Sequence, residues 1–154
     1  MKKRGMMSQP FMFIFAIVVV ALILFFGFNS ITKLKVRGDF LILSSSVVDL
    51  KNDVSRYYSF DEGATKTLRL DLPKQVDQVC FVDPDDYMND HEYKKLFEAS
   101  KGYNVYILPL DVFQVTRFNI PYMKPRINPL CIKNFGKVEL KLINHGSFVE
   151  LSQK

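Results

Sequence analysis

From Phe11 to Phe28 the chain reads FMFIFAIVVVALILFFGF, eighteen residues without a charge or a strongly polar side chain. At 1.5 Å per residue this is roughly 27 Å of helix, close to the ~30 Å hydrocarbon core of a bilayer. Ser8-Gln9 precede the run and Asn29-Ser30 follow it, which puts polar groups at the depth of both interfaces. A buried core helix of this length normally keeps polar residues on one face, and this segment has none. A cleaved secretory signal has a shorter apolar region that closes on small residues; here Phe25, Phe26 and Phe28 fill the end. The segment predicts a retained single-pass membrane helix, with the lipid bilayer as its first partner.

The net charge is +5 over 154 residues. Lys2, Lys3, Arg4, Lys33, Lys35 and Arg37 lie in residues 1–37, which hold no acid, so the remaining residues carry a net −1. The cationic excess flanks the apolar run, where it meets lipid phosphates. A nucleic-acid binder wants its basic stripe on the folded domain, and none is expected here. Cations stand on both sides of the run, so the positive-inside rule separates the two orientations only narrowly. The clustered Lys2-Lys3-Arg4 favours a cytoplasmic N-terminus and an extracytoplasmic C-terminal domain in a cell membrane. Cys80 and Cys131 fit an exported domain closed by one disulfide; two buried free thiols are the alternative.

Helical periodicity continues beyond the apolar run. Phe40, Leu43, Val47, Leu50, Val54 and Tyr57 recur at three-four spacing, with polar residues between them. The expectation is one helix from Pro10 to Ser59, loosened near Gly38, where glycine costs about 1 kcal/mol. Its amphipathic half needs a partner, either another copy in a two-stranded coiled coil or the domain's own sheet; fewer than three heptads favour the sheet. After Asp61-Glu62-Gly63 the period changes to two. Leu68, Leu70 and Leu72 alternate with Arg69 and Asp71, and strands are expected there, over Val76–Val82, Tyr103–Leu108 and Val112–Phe118. A short helix is expected over Asp90–Ser100. Pro121, Pro125 and Pro129 mark an irregular extended stretch. Val138, Leu140 and Leu142, the turn Asn144-His145-Gly146 and Ser147–Leu151 form a C-terminal hairpin. The predicted fold class is α+β: a long N-terminal helix, half transmembrane and half amphipathic, packed on a small antiparallel β-sheet with one short extra helix. The divisions are residues 1–9, a basic cytoplasmic leader; 10–30, the transmembrane helix; 31–60, its amphipathic extension; and 61–154, the β-rich domain.

Catalytic patterns are missing from the sequence. His145 falls in a predicted turn, and His91 lacks the second histidine that a zincin helix needs. No nucleophile elbow, phosphate loop, dinucleotide fingerprint or Cys-x-x-Cys pair occurs. No enzymatic activity and no cofactor are expected. Asp83, Asp85, Asp86, Asp90 and Glu92 form an acidic cluster of the kind calcium loops draw on, but an EF-hand alignment from Asp83 puts Tyr87 at a ligand position and Met88 where the loop needs glycine. A solvated turn leading into a helix N-terminus accounts for the acids without a metal.

The start of the chain is more specific. Lys2-Lys3-Arg4-Gly5 abuts a short polar stretch and then the apolar helix. This resembles the class III signal of archaeal type IV pilins and related filament subunits. The resemblance covers about the first 60 residues and implies cleavage between Gly5 and Met6 by a prepilin peptidase at the cytoplasmic face. It also implies that the apolar helix is retained as the filament core and that the chain self-associates or joins other pilin-like subunits. Ser8-Gln9-Pro10 is similar to the Ser-Pro that opens many archaeal pilin helices. The glutamate that bacterial pilins carry near the start of this helix falls on Pro10 here. A type IV filament or pseudopilus subunit is therefore expected. An uncleaved, membrane-anchored binding or adaptor module is the alternative.

Overall fold

The structure, a computed structural model, describes residues 8–86 and 102–154. Contacts divide the chain into two compact units, Met1–Asp39 and Phe40–Lys154. The helix α1, Ser8–Tyr58, passes from one into the other. Its helical hydrogen bonding runs through Gly38. A single glycine costs only about 1 kcal/mol and does not interrupt the helix.

In the first unit the helix carries its apolar side chains outward. In the second, the three-four stripe has found its partner. Leu43, Val47, Leu50 and Val54 are buried in one apolar cluster with residues of the strands, so the chain's own sheets, and not a coiled coil, cover this face. Each such side chain contributes about 1.5–3 kcal/mol when fully buried.

Among the described residues eight strands follow: β1 Thr65–Asp71, β2 Gln78–Phe81, β3 Val105–Leu108, β4 Arg117–Phe118, β5 Met123–Pro125, β6 Leu130–Lys133, β7 Lys137–Asn144 and β8 Val149–Gln153. They form two four-stranded sheets, ordered β1-β7-β8-β5 and β4-β3-β2-β6. The α+β class is as expected, with two sheets in place of one. All pairings are antiparallel except β5 with β8. In the first sheet, β1 and β7 alternate strictly. Leu68, Leu70, Val138, Leu140 and Leu142 face the core while Arg69, Glu139 and Lys141 face water. In the second sheet, Val79, Phe81, Val105, Ile107 and Ile132 join the same core. The opposite face of that sheet buries Cys80, Val82 and Tyr106 in a smaller cluster with Leu110 and Cys131. Burial on both faces explains why β2 reads as a continuous apolar run instead of alternating.

Two of these expectations change. The strand expected over Val112–Phe118 shrinks to Arg117–Phe118, because residues 109–116 fold into turns, with Val112 N–H on the Pro109 carbonyl and Thr116 Oγ1 donating to the Leu110 carbonyl. The proline-rich stretch contains β5 and the approach to β6, neither of which carries an alternating pattern of its own. The helix expected over Asp90–Ser100 lies outside the described residues.

Asparagines tie the irregular segments together. Asn104 pairs with Ile120 through both amide atoms, Nδ2 to O at 2.7 Å and Oδ1 from N at 2.8 Å. Asn144, 1% exposed, donates to the Phe60 carbonyl at 2.7 Å and accepts from Gly146 N–H at 2.8 Å. Gly146 has φ +80°, which the tight hairpin turn requires. Asn144 thus joins the end of α1 to the C-terminal hairpin. Replacing it with Leu, of similar size, strands buried backbone groups. The Asn144→Leu variant is expected to lose about 2 kcal/mol of stability, measured as a lower urea midpoint with an unchanged slope.

Candidate functional site

The largest surface that needs an explanation is the outside of α1 in the first unit. Its large apolar side chains between Met12 and Phe28, half-buried Val19 apart, are exposed by 50% at Leu22 to 76% at Met12. None of this stretch is buried within the chain, and it is long and apolar enough to cross a membrane. Soluble monomers rarely expose more than a few hundred Å² of contiguous apolar surface, so this face is built to be covered. At its end Ser30 Oγ donates to the Phe26 carbonyl at 2.8 Å, which satisfies the hydroxyl inside the helix. That is how a serine is tolerated next to an apolar environment. The candidate leader and cleavage residues Lys2, Lys3, Arg4, Gly5 and Met6 lie outside the described residues.

The two cysteines come together as a disulfide. Cys80 on β2 stands opposite Cys131 on β6 in the antiparallel register, and the bond links positions 51 residues apart. Cys80 is fully buried in the small cluster with Val82 and Tyr106, and half-buried Cys131 packs against it.

The acidic turn after β2 is organised from within. The Asp83 carboxylate is almost fully buried. It takes the Lys124 ammonium at 2.9 Å and accepts from Asp85 N–H at 3.1 Å. Asn128 braces the same turn, accepting from Asp83 N–H and donating to the Asp83 and Asp86 carbonyls. Among the described residues no three metal-ligating side chains converge; Asp90 and His91 lie outside them. Asp83 therefore acts as a hub for the turn. The hydrogen bond to Asp83 and its charge, helped by Asp86 and Asp85, hold the Lys124 ammonium above its usual range. A raised lysine stabilises the fold fully below its unfolded value of about 10.5 and loses that contribution as pH climbs through the folded value. The pair is half open to water, so its contribution is roughly 1 kcal/mol or less. The stability gap between wild type and Lys124→Gln should be constant from pH 7 to about pH 10 and close above that, as read from chemical denaturation along the pH series.

Beside this pair lies a groove of about 370 Å³ whose walls include Asp83, Tyr103, Asn119, Tyr122, Lys124 and Phe148. Tyr122 sits at φ 64°, a left-handed conformation uncommon for an aromatic residue. Its ring stacks on Tyr58 at 4.0 Å between centroids, and its carbonyl accepts from Val149 N–H at 2.7 Å. These partners, from the end of α1 and the start of β8, fix the strained backbone. The groove has no counterpart in sequence reasoning. Its residues come from segments far apart in the chain, and the only local hint is the proline-flanked Tyr122. His145, expected as a turn residue, is one; it stacks on Phe148 and lies 3.4 Å from Glu150.

Set against known protein families, curated proteins and solved structures, the chain has no significant match in any of the three.

Proposed function

We propose that the protein is a structural subunit of a type IV pilus-like filament or pseudopilus. The observation that carries the reading is α1 itself. An apolar stretch with none of its described side chains buried continues, without a break in helical hydrogen bonding, into a helix that forms part of a β-rich domain's core. Before assembly the apolar stretch rests in the cell membrane, with the leader in the cytoplasm and the domain outside. On assembly, lipid contacts give way to packing against the same helix of other subunits. The role is structural and not catalytic, and the Cys80–Cys131 disulfide suits the oxidising side of the membrane.

The leader supplies the test. Wild-type protein recovered from native membranes is expected to begin at Met6, and Gly5→Leu to retain residues 1–5, with both read by intact mass. Gly5→Leu should also abolish filaments seen by electron microscopy. Finding that both proteins keep Met1, so that their masses differ only by the glycine-to-leucine substitution itself, rejects the filament reading. A permanently anchored binding or adaptor module then becomes the better account, and the groove beside Tyr122 and Lys124 favours that second reading.

A further inference from the structure

The turn between β6 and β7 exposes Phe135 by 89%, more than any other large apolar side chain recorded among the described residues. The turn is not slack. Asn134 accepts from Gly136 N–H through Oδ1 at 2.7 Å, and its Nδ2 donates to the Pro73 and Val76 carbonyls, both at 2.8 Å. Its own N–H donates to the Asp77 carbonyl at 2.8 Å, and Gly136 takes φ +94°. A firmly braced turn thus holds a phenylalanine out in water, where any small polar residue would serve the backbone equally well. Exposed Lys133 and Lys137 flank it, and exposed Lys74 lies in the neighbouring turn bound to Asn134. Asp71 and Asp77 stand at the same end, so the tip is cationic by one charge.

The register shows which end of the domain this is. β1 runs antiparallel to α1. Lys66 at its start pairs with Asp53 at 2.7 Å, while the Asp71 carbonyl at its finish accepts from Ser46 Oγ at 2.9 Å. Asp71 pairs with Lys137 on β7, two residues from Phe135. The tip therefore belongs to the Phe40 end of the second unit, where Phe40 also packs on Phe113. Only residues 29–39 of the chain join that end to the apolar run.

We propose that the turn Asn134–Gly136 is a bilayer contact. Phe135 enters the headgroup region of the membrane that holds α1, and Lys133, Lys137 and Lys74 meet its anionic phosphates. An aromatic side chain is favoured at that depth, and neighbouring lysines are attracted by a negative surface. A connection of only eleven residues confines the tip to the neighbourhood of the surface. The inference rests on reading residues 10–30 as a membrane span.

The chain has no tryptophan, so single-tryptophan variants report position without interference. Full-length Phe135→Trp, Phe26→Trp and Phe148→Trp are reconstituted in vesicles of phosphatidylglycerol and phosphatidylcholine, with and without brominated acyl chains. Expected are strong quenching for Phe26→Trp and no quenching for Phe148→Trp. Phe135→Trp should show blue-shifted emission and partial quenching. That partial quenching should fall in Lys133→Gln/Lys137→Gln, and on raising salt from about 0.1 M to 1 M, as the Debye length drops from ~10 Å to ~3 Å. Water-like, unquenched emission from Phe135→Trp beside a quenched Phe26→Trp overturns the contact and leaves the span intact. Blue-shifted but unquenched emission that grows with protein density also overturns it, in favour of a second copy. An unquenched Phe26→Trp removes the span and the contact together.

Discussion

A Val18→Asp/Leu22→Asp double variant is expected to leave the carbonate-washed membrane pellet and appear in the supernatant, where wild type does not. Both positions lie in the middle of the apolar run, and both side chains are about half exposed on the isolated chain, Val18 by 51% and Leu22 by 50%. The run holds fourteen Phe, Ile, Leu and Val residues. At about 0.3–0.6 kcal/mol each, their insertion is worth roughly 4–8 kcal/mol. One aspartate near the helix centre costs about 2.5–3.5 kcal/mol, so a single substitution weakens insertion and a pair cancels most of it. The two acids stand one helical turn apart on one face, where neither can reach a headgroup. A double variant that fractionates like wild type would show that the run is not a span.

Reduction of the Cys80–Cys131 bond carries an effect of similar size on the second unit. The bond closes a loop of about 50 residues, and on the chain-entropy model this restricts the unfolded chain by around 4 kcal/mol. A Cys80→Ala/Cys131→Ala variant should therefore melt on the order of 15 °C lower, since each kcal/mol moves the midpoint of a domain near 100 residues by several degrees. The same shift should follow from adding dithiothreitol to wild type, and the variant should not respond to it. A variant as stable as wild type would show that the buried cluster around Tyr106 holds β2 to β6 without the bond. Because β2 is central in its sheet, between β3 and β6, loss of this link loosens both pairings. Such a dependence would suit a domain kept in an oxidising space.

The sequence alone determined the elements whose signal is local. Eighteen apolar residues leave few alternatives to a long exposed helix. Three-four spacing from Phe40 to Tyr57 identified the face that becomes buried. Strict alternation located β1 and β7, whose one wet face prints a period of two, and the turn Asn144-His145-Gly146 placed the returning β8. Tertiary structure decided the rest, because it depends on partners distant in the chain. The choice between a coiled coil and the domain's own sheets was made by the cluster around Leu43 and Val54. The splitting into two sheets lies in pairings between distant segments, β2 with β3 and β6 in one sheet and β5 in parallel with β8 in the other. The disulfide needed β2 and β6 to lie side by side, since a separation of 51 residues does not specify a pairing. The acidic cluster that reads as a possible cation site becomes, once Lys124 and Asn128 arrive from downstream, a neutralised and hydrogen-bonded turn. Tyr122 and Phe135 stood out only in three dimensions. One is a strained backbone fixed by Tyr58 and Val149, and the other is a phenylalanine held in water by four hydrogen bonds around Asn134.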